Sequence, residues 1–498
     1  MYLRRFGDVV AFDQRGTGAS EPAGMLCAHE DGVPLDRPGS PERFLAVLRP
    51  EVRRCLGQAE AAGTIVSGLT TRQSADDVEA LREALGAPRL SLLGASYGTH
   101  LALAVARYHP ESVDRMVLAG VEGPDQTIKL PSAIDANLDD LGQVVARDSI
   151  YRDLIPDLRG ELQSLVSDLD RHPRELEVLP GVEVTVGGWD LRRFVAEMIG
   201  RRFDLERLPR LVYAMERGNF SELARWSYRA RQPGATHLMN LAMDCASYAS
   251  PTRLRRIRSE AEATVLGATA DFPLPGVCDV AGLPRLGSRF RAPLHRMVPA
   301  LLVSGSLDGR TPIANARRIA AELPNATMLT IDNATHGREL LMGSPRIRER
   351  VGAFLSGRGV SVEQIRLPTW TFEAPIERSL PSDVLAHLAS TGFEGTVDWY
   401  RRMLAEHSDD GTYDFDSSVL NRLGYDLLAA DEVALAIQVF RLNTIGHPEA
   451  SNPWDSLGEG YLAAGEQEKA IAAYRRSLLL NPANDNARRV LEDLESSP

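Results

Sequence analysis

Residues 90–110 read LSLLGASYGTHLALAVARYHP. An apolar run, Leu90 to Leu93, breaks at Gly94-Ala95-Ser96-Tyr97-Gly98, and an Ala-rich stretch of helical composition follows at once. The pattern predicts a strand over 90–95, a tight turn, and a helix over 97–108. A serine at such a corner occupies a strained backbone conformation. Residues two before and two after it must then be small, and Gly94 and Gly98 meet that need. The hydroxyl would project above the sheet edge at a helix N-terminus, where free backbone N–H groups stabilise an oxyanion. A chain with 41 glycines produces a G-x-S-x-G by chance often enough that the flanking strand and helix, not the five letters, carry the reading.

Outward from this corner the alternation continues. Asp8-Val-Val-Ala-Phe-Asp13 reads as a strand, Ser74–Leu85 as an amphipathic helix with Ser74 as N-cap and Gly86 as stop, and Arg115–Ala119 as a further strand. Short, nearly continuous apolar strands separated by helices predict a mostly parallel sheet with helices on both faces. From 121 to 295 helical periodicity dominates, as in 154–169 and 205–228. Alternation returns with a strand at 299–304, a helix at 313–323, a strand at 326–331 and a helix at 346–355. A helical block inserted between two strand groups of one sheet reads as a lid over the strand ends. The predicted organisation is therefore a core over 1–120, a helical lid over 121–295, the rest of the core over 296–356, and a Gly- and Pro-punctuated linker over 357–381.

Beyond the linker the chain repeats itself. Leu423-Gly424 recurs as Leu457-Gly458, Ala436-Ile437 as Ala470-Ile471, Phe440 as Tyr474 and Pro448 as Pro482. With Trp454, Tyr461 and Gly465 in place, this 34-residue spacing is the tetratricopeptide pattern of paired helices, assigned to 382–498. An array this short is expected to pack on another part of the chain, on a second copy or on a protein partner.

A net charge of −12 argues against nucleic acid or an anionic membrane as the main partner. No apolar stretch approaches the roughly 20 residues of a membrane span. The four cysteines, Cys27, Cys55, Cys245 and Cys278, come with no C-x-x-C or histidine cluster, so neither zinc nor any other metal or cofactor is expected. Their spacing fits either scattered buried thiols or two local disulfides.

A serine hydroxyl needs a base, normally a histidine, itself oriented by a carboxylate. Downstream of Ser96, Asp308 follows the strand at 299–304 in Gly305-Ser-Leu-Asp308-Gly-Arg-Thr-Pro312, and His336 follows the strand at 326–331 in Asn333-Ala-Thr-His336-Gly337. Both fall at carboxyl ends of parallel strands, on the sheet edge that carries Ser96. His100, in the helix after the serine, reads as a packed helix residue; the remaining histidines lack a strand-end context.

Three stretches together resemble the proline iminopeptidase and tripeptidyl aminopeptidase family of α/β-hydrolases: Asp13-Gln-Arg-Gly-Thr-Gly-Ala-Ser20, Gly94-Ala-Ser-Tyr-Gly98, and the loops of Asp308 and His336. The resemblance covers about residues 5–355. It implies an α/β-hydrolase fold with Ser96 as nucleophile, Asp308 as orienting acid, His336 as base and Tyr97 N–H as oxyanion donor. It also implies removal of N-terminal residues or short peptides through an acyl-enzyme. The tripeptidyl branch carries cysteines near the present four, which implies the disulfides 27–55 and 245–278 and, with them, export. Two departures stand out. The family's His-Gly-Gly-Pro-Gly strand and its second oxyanion donor do not precede Asp13, a loss that can cost on the order of 100- to 1000-fold in turnover. The expectation is a true start upstream, with a signal peptide, and either a gap or a direct pairing between 8–13 and 90–95; without it the chain would be cytoplasmic. In addition, Ser247 stands where relatives often carry an acid, leaving Asp244 or Glu197 to hold a substrate ammonium. An esterase or amidase on small molecules, and an impaired scaffold using its repeats, are the competing readings.

Overall fold

A computed structural model describes residues 2–22, 26–408 and 410–496. Its centre is a five-stranded parallel sheet of β1 (Leu90–Ala95), β2 (Val113–Ala119), β3 (Ala300–Gly305), β4 (Ala326–Asp332) and β5 (Glu363–Arg366), in that spatial order. β3 is buried along its whole length, which explains why its sequence is a continuous apolar run and not an alternating one. Side chains leave β2 and β3 alternately to the two faces. Met116, Leu118 and Leu302 join one cluster with Val78, Leu103 and Ile319 from α2 (Thr71–Ala84), α3 (Tyr97–Tyr108) and α5 (Ile313–Glu322). Val117, Leu301 and Val303 join another with Ile347 and Val351 of α6 (Pro345–Leu355). Burying one such side chain fully contributes roughly 1.5–3 kcal/mol.

Several expectations change. Residues 8–13 form no strand; Val9, Val10 and Phe12 are 43 %, 52 % and 42 % exposed. A strand needs a neighbouring edge to satisfy its N–H and C=O groups, and this segment has none among the described residues. β1 accordingly pairs on one side only, with β2. α2 begins three residues before the expected cap: Thr70, not Ser74, accepts from the helix end through Gln73 N–H, and Ser74 is buried inside. The stretch read as linker contains β5, whose polar Glu-Gln-Ile-Arg sequence hides an edge strand with one buried residue, Ile365. The expected helices at 154–169 and 205–228 are each divided, the latter into Arg202–Glu216 and Ser221–Ala230.

Both disulfides form, Cys27–Cys55 and Cys245–Cys278. The first ties the short strand Leu26–His29 to α1 (Pro41–Ala61); the second ties α4 (Leu238–Ser247) to the turn at Gly276–Asp279. They share one apolar cluster with Leu56, Leu238 and Met239. On the chain-entropy account, loops of about 30 residues give about 3–4 kcal/mol per cross-link.

The chain divides into two compact units. One contains the residues up to Arg174, Val186–Val212 and Ala230–Glu373; the other contains Glu175–Thr185, Tyr213–Arg229 and the chain from Ala374 on. Part of the expected lid thus belongs to the C-terminal unit. Side-chain bonds tie it there: Arg225 donates to Ser379 Oγ at 2.6 Å and to Ser382 Oγ at 3.3 Å, and Arg229 forms an ion pair with Asp426 at 2.8 Å. The C-terminal region is all helical. α7 (Leu380–His407) bends at Gly392, and then come the hairpins α8 (Ser417–Ala429) with α9 (Val433–Gly446) and α10 (Ser451–Ala463) with α11 (Gln467–Leu480), closed by α12 (Asp485–Ser496). The 34-residue repeat has a steric basis. In each hairpin the glycine of the first helix accommodates a ring of the second. A Cβ on Gly424 would lie 2.2 Å from Phe440, and one on Gly458 2.9 Å from Tyr474.

Gly→Ala substitutions therefore separate two terms of opposite sign. In α1, Gly57 has open space around its missing Cβ, so Gly57→Ala should be neutral or stabilise by up to about 1 kcal/mol through helix propensity. Gly424→Ala should instead destabilise by about 1–3 kcal/mol, because overpacking exceeds that gain. Urea unfolding of the two variants beside the parent checks this; equal shifts would refute the packing account of the repeat.

Candidate active site

The corner at Ser96 has the expected strain: φ is 53° and ψ −126°, a region that non-glycine residues avoid. A Cβ at Gly94 would lie 2.3 Å from the carbonyl oxygen of Gly98, so no side chain fits there; at Gly98 it would meet nothing within 4 Å. The small-residue requirement thus falls on Gly94, contrary to the symmetrical expectation. Ser96 N–H donates to Ala119 O at the end of β2 at 2.9 Å, which holds the corner against the sheet. Tyr97 is the first residue of α3, so its N–H is one of the four without an intrahelical acceptor.

Asp308 and His336 meet above the ends of β3 and β4. His336 Nδ1 lies 2.9 Å from Asp308 Oδ2. Asp308 is 1 % exposed and accepts further bonds from Thr311 N–H at 2.8 Å and from Thr311 Oγ1 at 2.6 Å. Those donors hold the carboxylate in one orientation. A carboxylate on Nδ1 fixes the imidazole tautomer with its proton there, leaving Nε2 as the basic nitrogen. The imidazole also sits against Gly120: a Cβ there would come within 3.0 Å of His336 Cε1. Gly120 directly follows Ala119, the acceptor of Ser96 N–H, so Ser96 and His336 converge on the same two residues at the end of β2. Thr311 and Gly120 escaped the sequence reading. Only the Asp308-x-x-Thr311 spacing, that of a side-chain-capped turn, hinted at the first.

Behind the corner runs a buried chain of neutral hydrogen bonds. Tyr97 hydroxyl donates to Thr71 Oγ1 at 3.1 Å, Thr71 and Ser247 hydroxyls are 3.1 Å apart, Ser247 Oγ lies 3.0 Å from His100 Nε2, and His100 Nδ1 lies 3.2 Å from Gly123 O. One proton arrangement satisfies every link: His100 neutral, Nδ1–H donating to Gly123 O, and Nε2 accepting from Ser247. Burial pushes the His100 pKa below its ordinary value, against the pull of Glu122. Ser247 therefore has a structural part as the joint between the lid helix α4 and the helix that follows the serine.

The two candidate binding acids differ sharply. Glu197 is exposed on its helix and bonded to Arg193 Nη2 at 2.8 Å. Asp244, on α4, is pushed up to about 7 by burial and then by the like charge of Glu122, while Lys129 and Arg310 pull the other way. Its charge and that of Glu122 act on the Tyr97 hydroxyl, which burial drives upward. Glu122, two residues past Gly120, is an acid that sequence reasoning passed over.

With this geometry in hand, the comparisons with known proteins are decisive for the family. The alpha/beta hydrolase fold family matches residues 7–337, and the chain belongs to it. Tripeptidyl aminopeptidase of Streptomyces lividans is 31 % identical over 171 residues, 31 % of each chain. Serine protease Hip1 of Mycobacterium tuberculosis is 30 % identical over 128 residues, 24 % of each chain. The chain thus spans less than a third of the length of these curated relatives. Among solved structures, MGS-M2, an alpha/beta hydrolase enzyme from a Medee basin deep-sea metagenome library, covers 59 % of this chain and 75 % of its own, at 16 % identity and a TM-score of 0.24. Among the described residues no helix is long and apolar enough to cross a membrane.

The buried His100 gives a pH signature. Its folded pKa is depressed, so below the ordinary histidine value of about 6.5 the unfolded chain binds a proton that the folded chain refuses. Its contribution is complete above that value and is lost as pH falls. Urea unfolding should show the protein weakening by about 1–2 kcal/mol more between pH 7 and pH 5 than His100→Gln does. An unchanged acid slope in His100→Gln would contradict the neutral assignment.

Proposed function

We propose that the protein is a serine hydrolase of aminopeptidase type, with Ser96 as nucleophile, His336 as general base and Asp308 as the orienting acid. The observation that carries the reading is the Asp308–His336 contact at 2.9 Å, set beside a serine held at φ 53°. Ser96 Oγ attacks the scissile carbonyl carbon while its proton passes to His336 Nε2. The negative charge moves to the carbonyl oxygen, which Tyr97 N–H stabilises, and the imidazolium is stabilised by Asp308. Collapse breaks the C–N bond; the leaving amine takes the proton from Nε2, and the acyl group stays on Ser96. Water then attacks the ester with His336 again accepting its proton, releasing the acid and regenerating the serine.

Peptidase chemistry is favoured by the names of the curated relatives. The aminopeptidase type rests on Asp244 with Glu122. Burial and the like charge of Glu122 push Asp244 up to about 7 even against Lys129 and Arg310, and a substrate's α-ammonium beside it would favour the charged carboxylate. Asp244 is given this role in preference to Glu197, whose partner is Arg193.

Hydrolysis of a panel of aminoacyl- and tripeptidyl-p-nitroanilides, each free and N-acetylated, tests both parts. Ser96→Ala should abolish turnover, and Asp308→Asn should lower kcat about 10⁴-fold by releasing the imidazole tautomer. Asp244→Asn should raise KM for free-amine substrates by about 10- to 100-fold, the worth of a charged hydrogen bond, with little effect on acetylated ones. Because Asp244 ionises near 7 and a peptide α-amine loses its charge near 8, KM for free amines should be lowest between those values. Equal turnover of free and acetylated substrates, insensitive to Asp244→Asn, would leave an esterase or amidase in its place.

A further inference from the structure

A short turn at Thr269–Asp271 gathers three cations. The Thr269 carbonyl accepts from Arg193 Nη1 at 3.1 Å, the Ala270 carbonyl accepts from Arg310 Nη1 at 3.3 Å, and the Asp271 carboxylate accepts from Lys129 Nζ at 2.6 Å. Two of the three charges are answered. Lys129 pairs with Asp271, and Arg193 pairs with Glu197 at 2.8 Å. Arg310 has the carbonyl alone: among the described residues it forms no ion pair, although it is half-buried. A guanidinium has five N–H donors, so most of them are left without a protein acceptor. A partly desolvated cation with no anion beside it is costly.

The backbone fixes this arginine beside the acid and the base. Arg310 lies two residues past Asp308 and next to Thr311, which donates to the Asp308 carboxylate from both its N–H and its hydroxyl. The stem of Arg310 packs on Gly200: that glycine has φ 101°, and a Cβ there would collide with Arg310 Cγ. The same Gly200 accepts from His336 N–H at 3.0 Å. One glycine therefore touches the arginine and the histidine together. This sets Arg310 on the histidine's side of the site, the side from which a leaving amine takes its proton. Asp244 has the opposite imbalance. Among the described residues neither its carboxylate nor that of Glu122 accepts a hydrogen bond. The cations that act on Asp244 are Lys129, already paired, and Arg310.

We propose that Arg310 binds the C-terminal carboxylate of the substrate, so that the protein acts on short peptides with a free C-terminus. This rests on the reading above, in which Ser96 is the nucleophile and Asp244 takes the α-ammonium. The guanidinium fork grips a carboxylate through two parallel N–H···O bonds. A di- or tripeptide spans at most about 10 Å, so one cleft can meet both of its charges. Its acyl part then lies towards Asp244, and its leaving part, with the carboxylate, lies towards Arg310. An amidated peptide would leave the guanidinium without its anion.

The test uses the full chain as Ser96→Ala, in which peptides bind without turnover. Binding is read by calorimetric titration at about pH 7.5, above the value of about 7 at which Asp244 ionises. Tri-alanine should bind about 10- to 100-fold tighter than its C-terminal amide, the worth of a charged hydrogen bond. Adding Arg310→Gln should abolish that preference, and Arg310→Lys should keep part of it. Arg201→Gln removes an equal charge from an exposed residue next to Gly200 and should change it less than twofold. Equal binding of acid and amide overturns the proposal. A preference that survives Arg310→Gln, or the absence of saturable binding by tri-alanine, also overturns it. Ala-Ala-Glu amide carries its carboxylate on a side chain and should bind like tri-alanine amide; binding as tight as the free acid's would overturn the terminal assignment. N-acetyl-tri-alanine separates the two readings: binding as tight as that of tri-alanine would remove the ammonium role of Asp244 and leave that of Arg310 in place. Should Arg310→Gln fail to fold, the comparison of acid and amide on Ser96→Ala alone decides.

Discussion

The site rests on a single bond in an awkward place. Ser96 N–H donates to Ala119 O, and this ties a residue at positive φ to the end of the neighbouring strand. A strained backbone of this kind costs on the order of 1–3 kcal/mol and persists only where its surroundings enforce it. Here the enforcement is local and steric. Gly94 lets the chain double back against the carbonyl of Gly98, and α3 begins at the next residue, buried through Leu101–Ala106 against the sheet. The serine is tied to Ala119, the last residue of β2, and the imidazole lies against Gly120, the next residue, although the two side chains are 240 positions apart in the chain.

Around that point, burial divides the polar groups by task. Asp308 is buried with three donors, so it stays oriented. His100 is buried with a carbonyl and a hydroxyl, so it stays neutral and serves as packing. Asp244 is buried near another acid, so its pKa is pushed up to about 7 against the pull of Lys129 and Arg310. Burial and local partners thus give His100 and Asp244 opposite shifts, one down and one up.

Much of this was legible in the sequence, for reasons that can be stated. Ser96, Asp308 and His336 each follow an apolar strand directly, and a strand end is a position that local pattern marks well. The tetratricopeptide-like hairpins were legible because one steric fit, glycine against ring, is written twice at the same offset. What escaped depended on distant partners. Residues 8–13 have the composition of a strand, but an apolar run becomes one only beside a free edge. Glu363–Arg366 has the composition of a loop and becomes a strand because β4 offers its edge. The roles of Gly120, Glu122 and Ser247 depend on neighbours between 122 and 216 positions away in sequence, where no periodicity reaches. The division between units was likewise hidden, since Arg225 and Arg229 find their partners in the C-terminal helices.

The central claim is that Ser96 is an activated nucleophile, and an active-site-directed fluorophosphonate probe tests it most directly. The purified chain is treated with the probe, and the modified peptide is located by mass spectrometry. The account predicts a single adduct on the peptide containing Ser96, absent in Ser96→Ala and strongly slowed in Asp308→Asn. A folded protein that takes up no probe, or takes it up equally in Ser96→Ala, would contradict it.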